Sequence, residues 1–61
     1  MPTIRVKPSA NMWRVTKNGR TVSNHRKKSA ATRRAYHEAN SGDRIEIRKS
    51  NGRVQKSRVV R

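Results

Sequence analysis

Along this chain, isolated apolar side chains alternate with charged or polar ones. Ile4-Arg5-Val6-Lys7, Trp13-Arg14-Val15-Thr16 and Arg44-Ile45-Glu46-Ile47-Arg48 each set their apolar residues two positions apart. A period of two directs all apolar residues of a strand to one face and all charges to the other. Segments of this kind call for a sheet with one buried face and one charged face. Composition alone points elsewhere. Seventeen of the 61 residues are Lys or Arg against three acids, a formal net charge of +14. Strong aliphatic residues number nine, all Val or Ile, with no Leu or Phe. Such a balance is typical of an unfolded polycation. The alternation argues instead for a folded module whose surface is made for a polyanion.

Sixty-one residues make one small domain. A sphere of +14 charge about 11 Å in radius stores on the order of 10 kcal/mol at physiological salt, comparable with the roughly 5–15 kcal/mol of ordinary domain stability. The absence of Cys excludes disulfides and thiolate metal sites. No apolar run reaches the length of a membrane span, and no signal-peptide core is present. The chain is expected to work in a cytoplasm: in a nucleoid, or in a host cell or virus particle if phage-encoded.

Two Asn-Gly pairs, Asn18-Gly19 and Asn51-Gly52, sit between alternating segments and predict type I′ hairpins. The first sets Lys17 opposite Arg20, Thr16 opposite Thr21 and Val15 opposite Val22. A strand over residues 3–7 folds back through Pro8-Ser9-Ala10-Asn11, so that Val6 meets Trp13, Ile4 meets Val15 and Arg5 meets Arg14. A helix is expected over 29–39, with Ser29 as N-cap, Ala31, Ala35 and Ala39 as its inward stripe and Gly42 as its stop. The second hairpin points Ile45, Ile47 and Val54 inward. Beyond Val54 the alternation fails, since a regular register turns Lys56 and Arg58 inward; a bulge, an edge strand and a frayed tail all fit residues 55–61. The expected fold is α+β, an antiparallel sheet of four to five short strands in the order ββαββ or βββαββ, with one short helix on one face.

Placed on these strands, the basic residues divide between two surfaces. Arg5, Lys7, Arg14, Arg44 and Arg48 occupy the sheet face away from the helix. Arg26, Lys27, Lys28, Arg33 and Arg34 occupy the approach to the helix and its exposed side. Lys17, Arg20, Lys49 and Arg53 lie at hairpin tips and serve either surface. Two placements work against the isolated fold. Arg5 opposite Arg14 sets like charges across a strand pair, and Arg26-Lys27-Lys28 crowd the positive end of the helix dipole. Both make sense where a phosphate backbone is the missing partner.

Trp13 shares the parity of Val15 and belongs to the core, whereas Tyr36 suits either the core edge or an exposed stacking position. With no further aromatic, an RNA-recognition sheet or a single-strand platform is thinly supplied. The acids are Glu38, Asp43 and Glu46 only. His25 and His37 stand 12 residues apart without ligand spacing, and no phosphate-binding glycine loop or nucleophile elbow is present. Neither catalysis nor a metal or cofactor is expected.

Val6-Lys7-Pro8, Trp13-Arg14-Val15, the Ala31, Ala35, Ala39 helix, Ile45-Glu46-Ile47 and Asn51-Gly52-Arg53-Val54 together resemble a family of small bacterial and phage proteins. The family is catalogued as domain of unknown function 2188. The resemblance spans about residues 4–54; it supports the fold and implies no activity. This chain is far more basic than that pattern. An alanine-rich helix between a hairpin and basic strands, here 30–40 and 44–53, is also similar to the archaeal monomeric chromosomal protein of methanogens, which implies duplex binding by analogy only.

The expected function is non-catalytic binding of nucleic acid, duplex DNA foremost, with little sequence specificity and through phosphate contacts. Docking on an acidic host protein and RNA or ribosome binding are the other readings; no membrane partner is expected. Because self-repulsion opposes folding, melting temperature should rise when phosphate or duplex DNA is added. A melting temperature indifferent to both would count against a polyanion partner.

Overall fold

The structure, a computed structural model, describes residues 2–61. It contains strands β1 (Thr3–Ser9), β2 (Met12–Lys17) and β3 (Arg20–His25), helix α1 (Lys28–Glu38), and strands β4 (Arg44–Arg48) and β5 (Val54–Val59). The order is thus βββαββ, in one five-stranded sheet arranged β3-β2-β1-β4-β5. Three strand pairs are antiparallel as expected, but β1 and β4 run parallel. That pairing follows from the topology. After β3 the chain crosses back as α1 and enters β4 in the direction of β3; β1 also points that way, because two antiparallel pairings separate it from β3, so β4 runs parallel to β1 beside it.

The alternation holds. Ile4, Val6, Val15, Ile45 and Ile47 are buried beneath Ala31 and Ala35, with Trp13, Val22, Ala39 and Val60 packed around them. Two methyl side chains let the helix lie close to the sheet, so a core of β-branched residues suffices without Leu or Phe. The helix contacts β1, β2, β3 and β4, whereas no Cα of β5 comes within 8 Å of it.

The registers differ from those expected, for identifiable reasons. The β1–β2 connection is not the four-residue link 8–11. Pro8 and Ser9 belong to β1, and Ala10 and Asn11, with φ of 45° and 66°, form a two-residue turn. Two left-handed residues define type I′. This slides β1 by two residues: Val6 faces Val15, Ile4 faces Lys17, Arg5 faces Thr16, and Lys7 faces Arg14. A slip of two preserves every inward or outward assignment while changing every partner. Asn18-Gly19 forms the expected I′ turn, with φ of 54° and 83°. Beyond it a bulge inserts Val22, so Val15 pairs with Ser23 rather than Val22.

The second Asn-Gly pair builds a different loop. Gly52 N–H donates to Lys49 O and Lys49 N–H to Arg53 O, enclosing a three-residue loop in which only Gly52 has positive φ, 89°. This is a type I turn closed by a G1 bulge. A further bulge at Gln55 follows. Together they set Val54 opposite Arg48 on the helix-free face, 51% exposed, rather than inward. Lys56 and Arg58 stand opposite Ile47 and Ile45, on the helix side. Residues 54–59 form an edge strand, and Val60 is tied to the turn after α1, donating to Asp43 O and accepting from Gly42 N–H.

The helix begins earlier than Ser29 suggests. Lys27 is its N-cap, without a side-chain capping bond, and its first turn holds no acid. It ends at Ala39, which returns to extended backbone; Gly42 turns the chain three residues later. Ala10 is the costly element of this fold, because a Cβ in the left-handed region costs roughly 1–2 kcal/mol. Ala10→Gly removes that cost against about 0.5–1 kcal/mol of added chain entropy. The variant should therefore melt a few degrees higher, roughly 2–8 °C. Unchanged or lower melting would show that the turn is not strained.

Candidate nucleic-acid interface

The three acidic side chains of the chain are all engaged internally. Glu38 pairs with Arg34 one helical turn away at 2.7 Å. Asp43, 4% exposed, accepts the Asn40 N–H at 2.9 Å and lies 3.9 Å from Lys17 Nζ. Glu46 Oε1 sits between two guanidinium groups, 3.5 Å from Arg5 Nε and 2.9 Å from Arg48 Nη2. Arg48 Nε donates to the same oxygen, whereas the Arg5 contact lacks hydrogen-bond geometry. Among the described residues the remaining Lys and Arg side chains have no carboxylate partner.

These pairs sort the expected binding residues. Arg5, Lys7, Arg14, Arg44 and Arg48 do share the helix-free sheet face, since each alternates with a buried residue on its strand. Within that group Arg5 and Arg48 share the single negative charge of Glu46, Arg48 through hydrogen bonds and Arg5 through proximity alone. Lys7, Arg14 and Arg44 have only uncharged partners among the described residues: Arg14 donates to Asn24 Oδ1 and Arg44 to Ser57 Oγ. The like-charge crossing exists, but it is Lys7 opposite Arg14, not Arg5 opposite Arg14. Arg5 faces Thr16 instead, so the repulsion expected there is absent, and Glu46 lies beside it on β4.

Lys17 is not a free hairpin-tip cation. Its ammonium donates to Glu38 O at 3.3 Å, at the negative end of the helix dipole, and approaches Asp43. Lys17 therefore ties the helix C-terminus to β2. Arg20 lies beside it at the exposed tip. At the opposite end of the sheet, the β1–β2 turn, the β3–α1 link and the β4–β5 loop emerge together because β4 runs parallel to β1. Arg26, Lys27, Lys49 and Arg53 belong to the link and the loop at this end and are all exposed, and a hollow of about 460 Å³ opens between the β1–β2 turn and Ser50.

The helix side carries a second basic surface that includes residues not anticipated from sequence. Since α1 stops short of β5, a groove of about 650 Å³ separates them. Lys28, Arg33 and Tyr36 line it from the helix, and Ile47, Gln55 and Lys56 from the strands. Lys28 is held in place from two sides: its ammonium lies 5.3 Å from the Trp13 ring centroid and donates to Gln55 Oε1. Trp13 packs on the core as expected, and Tyr36 is 37% exposed in the groove. Arg34 faces away, engaged by Glu38. The signal for Lys56 was present in the sequence as the broken alternation after Val54. His25, opposite Trp13, shares a 2.8 Å hydrogen bond with Ser23 Oγ.

A structural role for Lys17 has a measurable consequence. Lys17→Ala should lower unfolding free energy by about 1–2 kcal/mol, since it removes the donor to Glu38 O and the cation beside the buried Asp43 carboxylate. Lys49→Ala, at an exposed loop position, should change it by less than about 0.5 kcal/mol. Equal losses in denaturant titrations would refute the distinction.

Compared with family models, curated proteins and solved structures, the chain matches none.

Proposed function

We propose that the protein binds nucleic acid without catalysis, duplex DNA foremost, chiefly through phosphate contacts and with little sequence preference. One observation carries the reading: every acidic side chain is paired inside the fold, while Lys7, Arg14, Arg44 and the exposed cations of the β3–α1 link and the β4–β5 loop have no carboxylate partner among the described residues. A surface that holds Lys7 against Arg14 is destabilised alone and relieved by an anion lying across both strands. The dimensions suit the task. The longest extent, 30 Å, covers roughly nine base pairs at about 3.4 Å each, enough to reach several phosphates on one side of a duplex. Apolar residues on the same face, Met12, Val54 and Val59, are scattered at its margins, so they add area without a pocket that would read a base.

Affinity dominated by phosphate neutralisation must fall with salt. With about five to eight phosphates engaged, log K against log salt concentration should slope at roughly −4.5 to −7 on duplex DNA. Lys7→Ala combined with Arg14→Ala should weaken binding and flatten that slope by about 2. It should leave the fold as stable or more so, because it removes a like-charge crossing. Gel shifts with duplex DNA, single-stranded DNA and double-stranded RNA across a salt series test the reading. Binding indifferent to salt, or a double variant that unfolds yet binds as before, would refute the assignment to this face.

A further inference from the structure

We propose that the groove between α1 and β5 holds one unpaired nucleotide of a nucleic-acid strand, its base against Tyr36 and Ile47 and its flanking phosphates on Lys28, Arg33 and Lys56. The proposal rests on the nucleic-acid reading above and adds a site that touches a base.

The groove combines two chemistries. Ile47, 6% exposed, and the Tyr36 ring give it an apolar wall. Lys28, Arg33 and Lys56 add three cations from two different elements. No carboxylate lines it: Glu38 is turned to Arg34, Asp43 to Lys17, and Glu46 lies on the other side of the sheet. The charge calls for an anion and the wall for a flat apolar group, and a nucleotide supplies both. Of the two aromatics in the chain, Trp13 packs on the core and carries Lys28 over its ring, so Tyr36 is the one with a face to offer. A base stacks on such a face whatever its identity. At about 650 Å³ the groove falls within the usual range for ligand sites, roughly 300–1,000 Å³.

Preorganisation favours the same occupant. The Trp13 ring holds the Lys28 ammonium at the groove before any ligand arrives, which reduces the ordering cost of binding. The strand must be unpaired, because bases in an intact duplex have their faces covered by neighbours. The helix-free sheet face and this groove lie on opposite sides of the sheet, so their loss by mutation is separable.

The test compares a short oligothymidylate with an abasic oligonucleotide of the same length, which carries the same phosphates and no bases. Fluorescence anisotropy should show wild type binding the thymidylate about 5- to 150-fold more tightly, the range of one stacked base. Tyr36→Ala should abolish this preference and leave abasic affinity unchanged, Tyr36→Phe should retain it, and Lys56→Ala should weaken both oligonucleotides alike. Equal affinity of wild type for both, with duplex DNA still bound, overturns the groove assignment and spares the duplex reading. A preference that survives in Tyr36→Ala overturns the role of Tyr36 and with it the proposal. Binding of polyglutamate with no nucleic acid bound overturns both readings and assigns the groove to an acidic protein segment.

Discussion

The seating of Ala31 and Ala35 on Ile4, Val6, Val15, Ile45 and Ile47 is the contact on which the rest of this structure depends. The side chains involved are small or β-branched, and few in number. Burial of a Val or Ile contributes roughly 1.5–3 kcal/mol, so this set must offset both chain entropy and the self-repulsion of a strongly basic chain. Only close approach of the helix makes that feasible, and only alanine at the two inward positions permits the approach. Closeness has a geometric consequence. A helix about 10–12 Å across, pressed near the middle of a five-stranded sheet, reaches β3 through β4 and leaves β5 uncovered. The groove and the inward-turned Lys56 follow from the same contact that holds the core.

The acidic residues show how the charge is managed. Each of the three stands where a cation would otherwise threaten the fold. Glu46 sits between Arg5 and Arg48 at the centre of the sheet, Asp43 faces Lys17 at the helix C-terminus, and Glu38 faces Arg34 on the helix. The most exposed of them, Arg34–Glu38, contributes little by itself; the effect of the three together is to reduce repulsion where strands or helix turns force cations together. Lys7 against Arg14 and the basic approach to α1 receive no such relief. The contrast between neutralised and unrelieved positions within one small sheet is more informative than net charge, which treats all seventeen cations alike.

Much of this arrangement was legible in the residues, and the exceptions have physical causes. The face of each strand residue follows from parity, which a two-residue slip cannot alter; Arg5, Lys7, Arg14, Arg44 and Arg48 are therefore on the expected side although their partners differ. Register was not legible, because it is set by Ala10-Asn11, and alanine in a left-handed turn carries no compositional mark. Ser29 is a better capping residue than Lys27, yet the helix starts earlier, where Lys28 reaches both Trp13 and Gln55. Tertiary contact outweighed capping preference. The place of Val54 was hidden by two bulges in succession, each of which shifts the pairing between the strands.

β5 then reads as one element answering two constraints. An edge strand offers unpaired backbone groups to any other strand, and flanking cations, a bulge and pronounced twist are the usual protections. Lys56, Arg58 and the Gln55 bulge supply the first two. An inward-turned lysine on a covered strand would be buried without a partner at a cost of several kcal/mol; because α1 does not reach β5, Lys56 stays solvated. The narrow helix therefore makes the charged edge tolerable, and the charged edge keeps the uncovered strand from pairing with its neighbours. Placing the cations of β5 beside those of α1, with Tyr36 between, is the outcome of these two requirements. A surface shaped first by folding constraints thereby acquires the combination of charge and aromatic face that an unpaired nucleotide would fit.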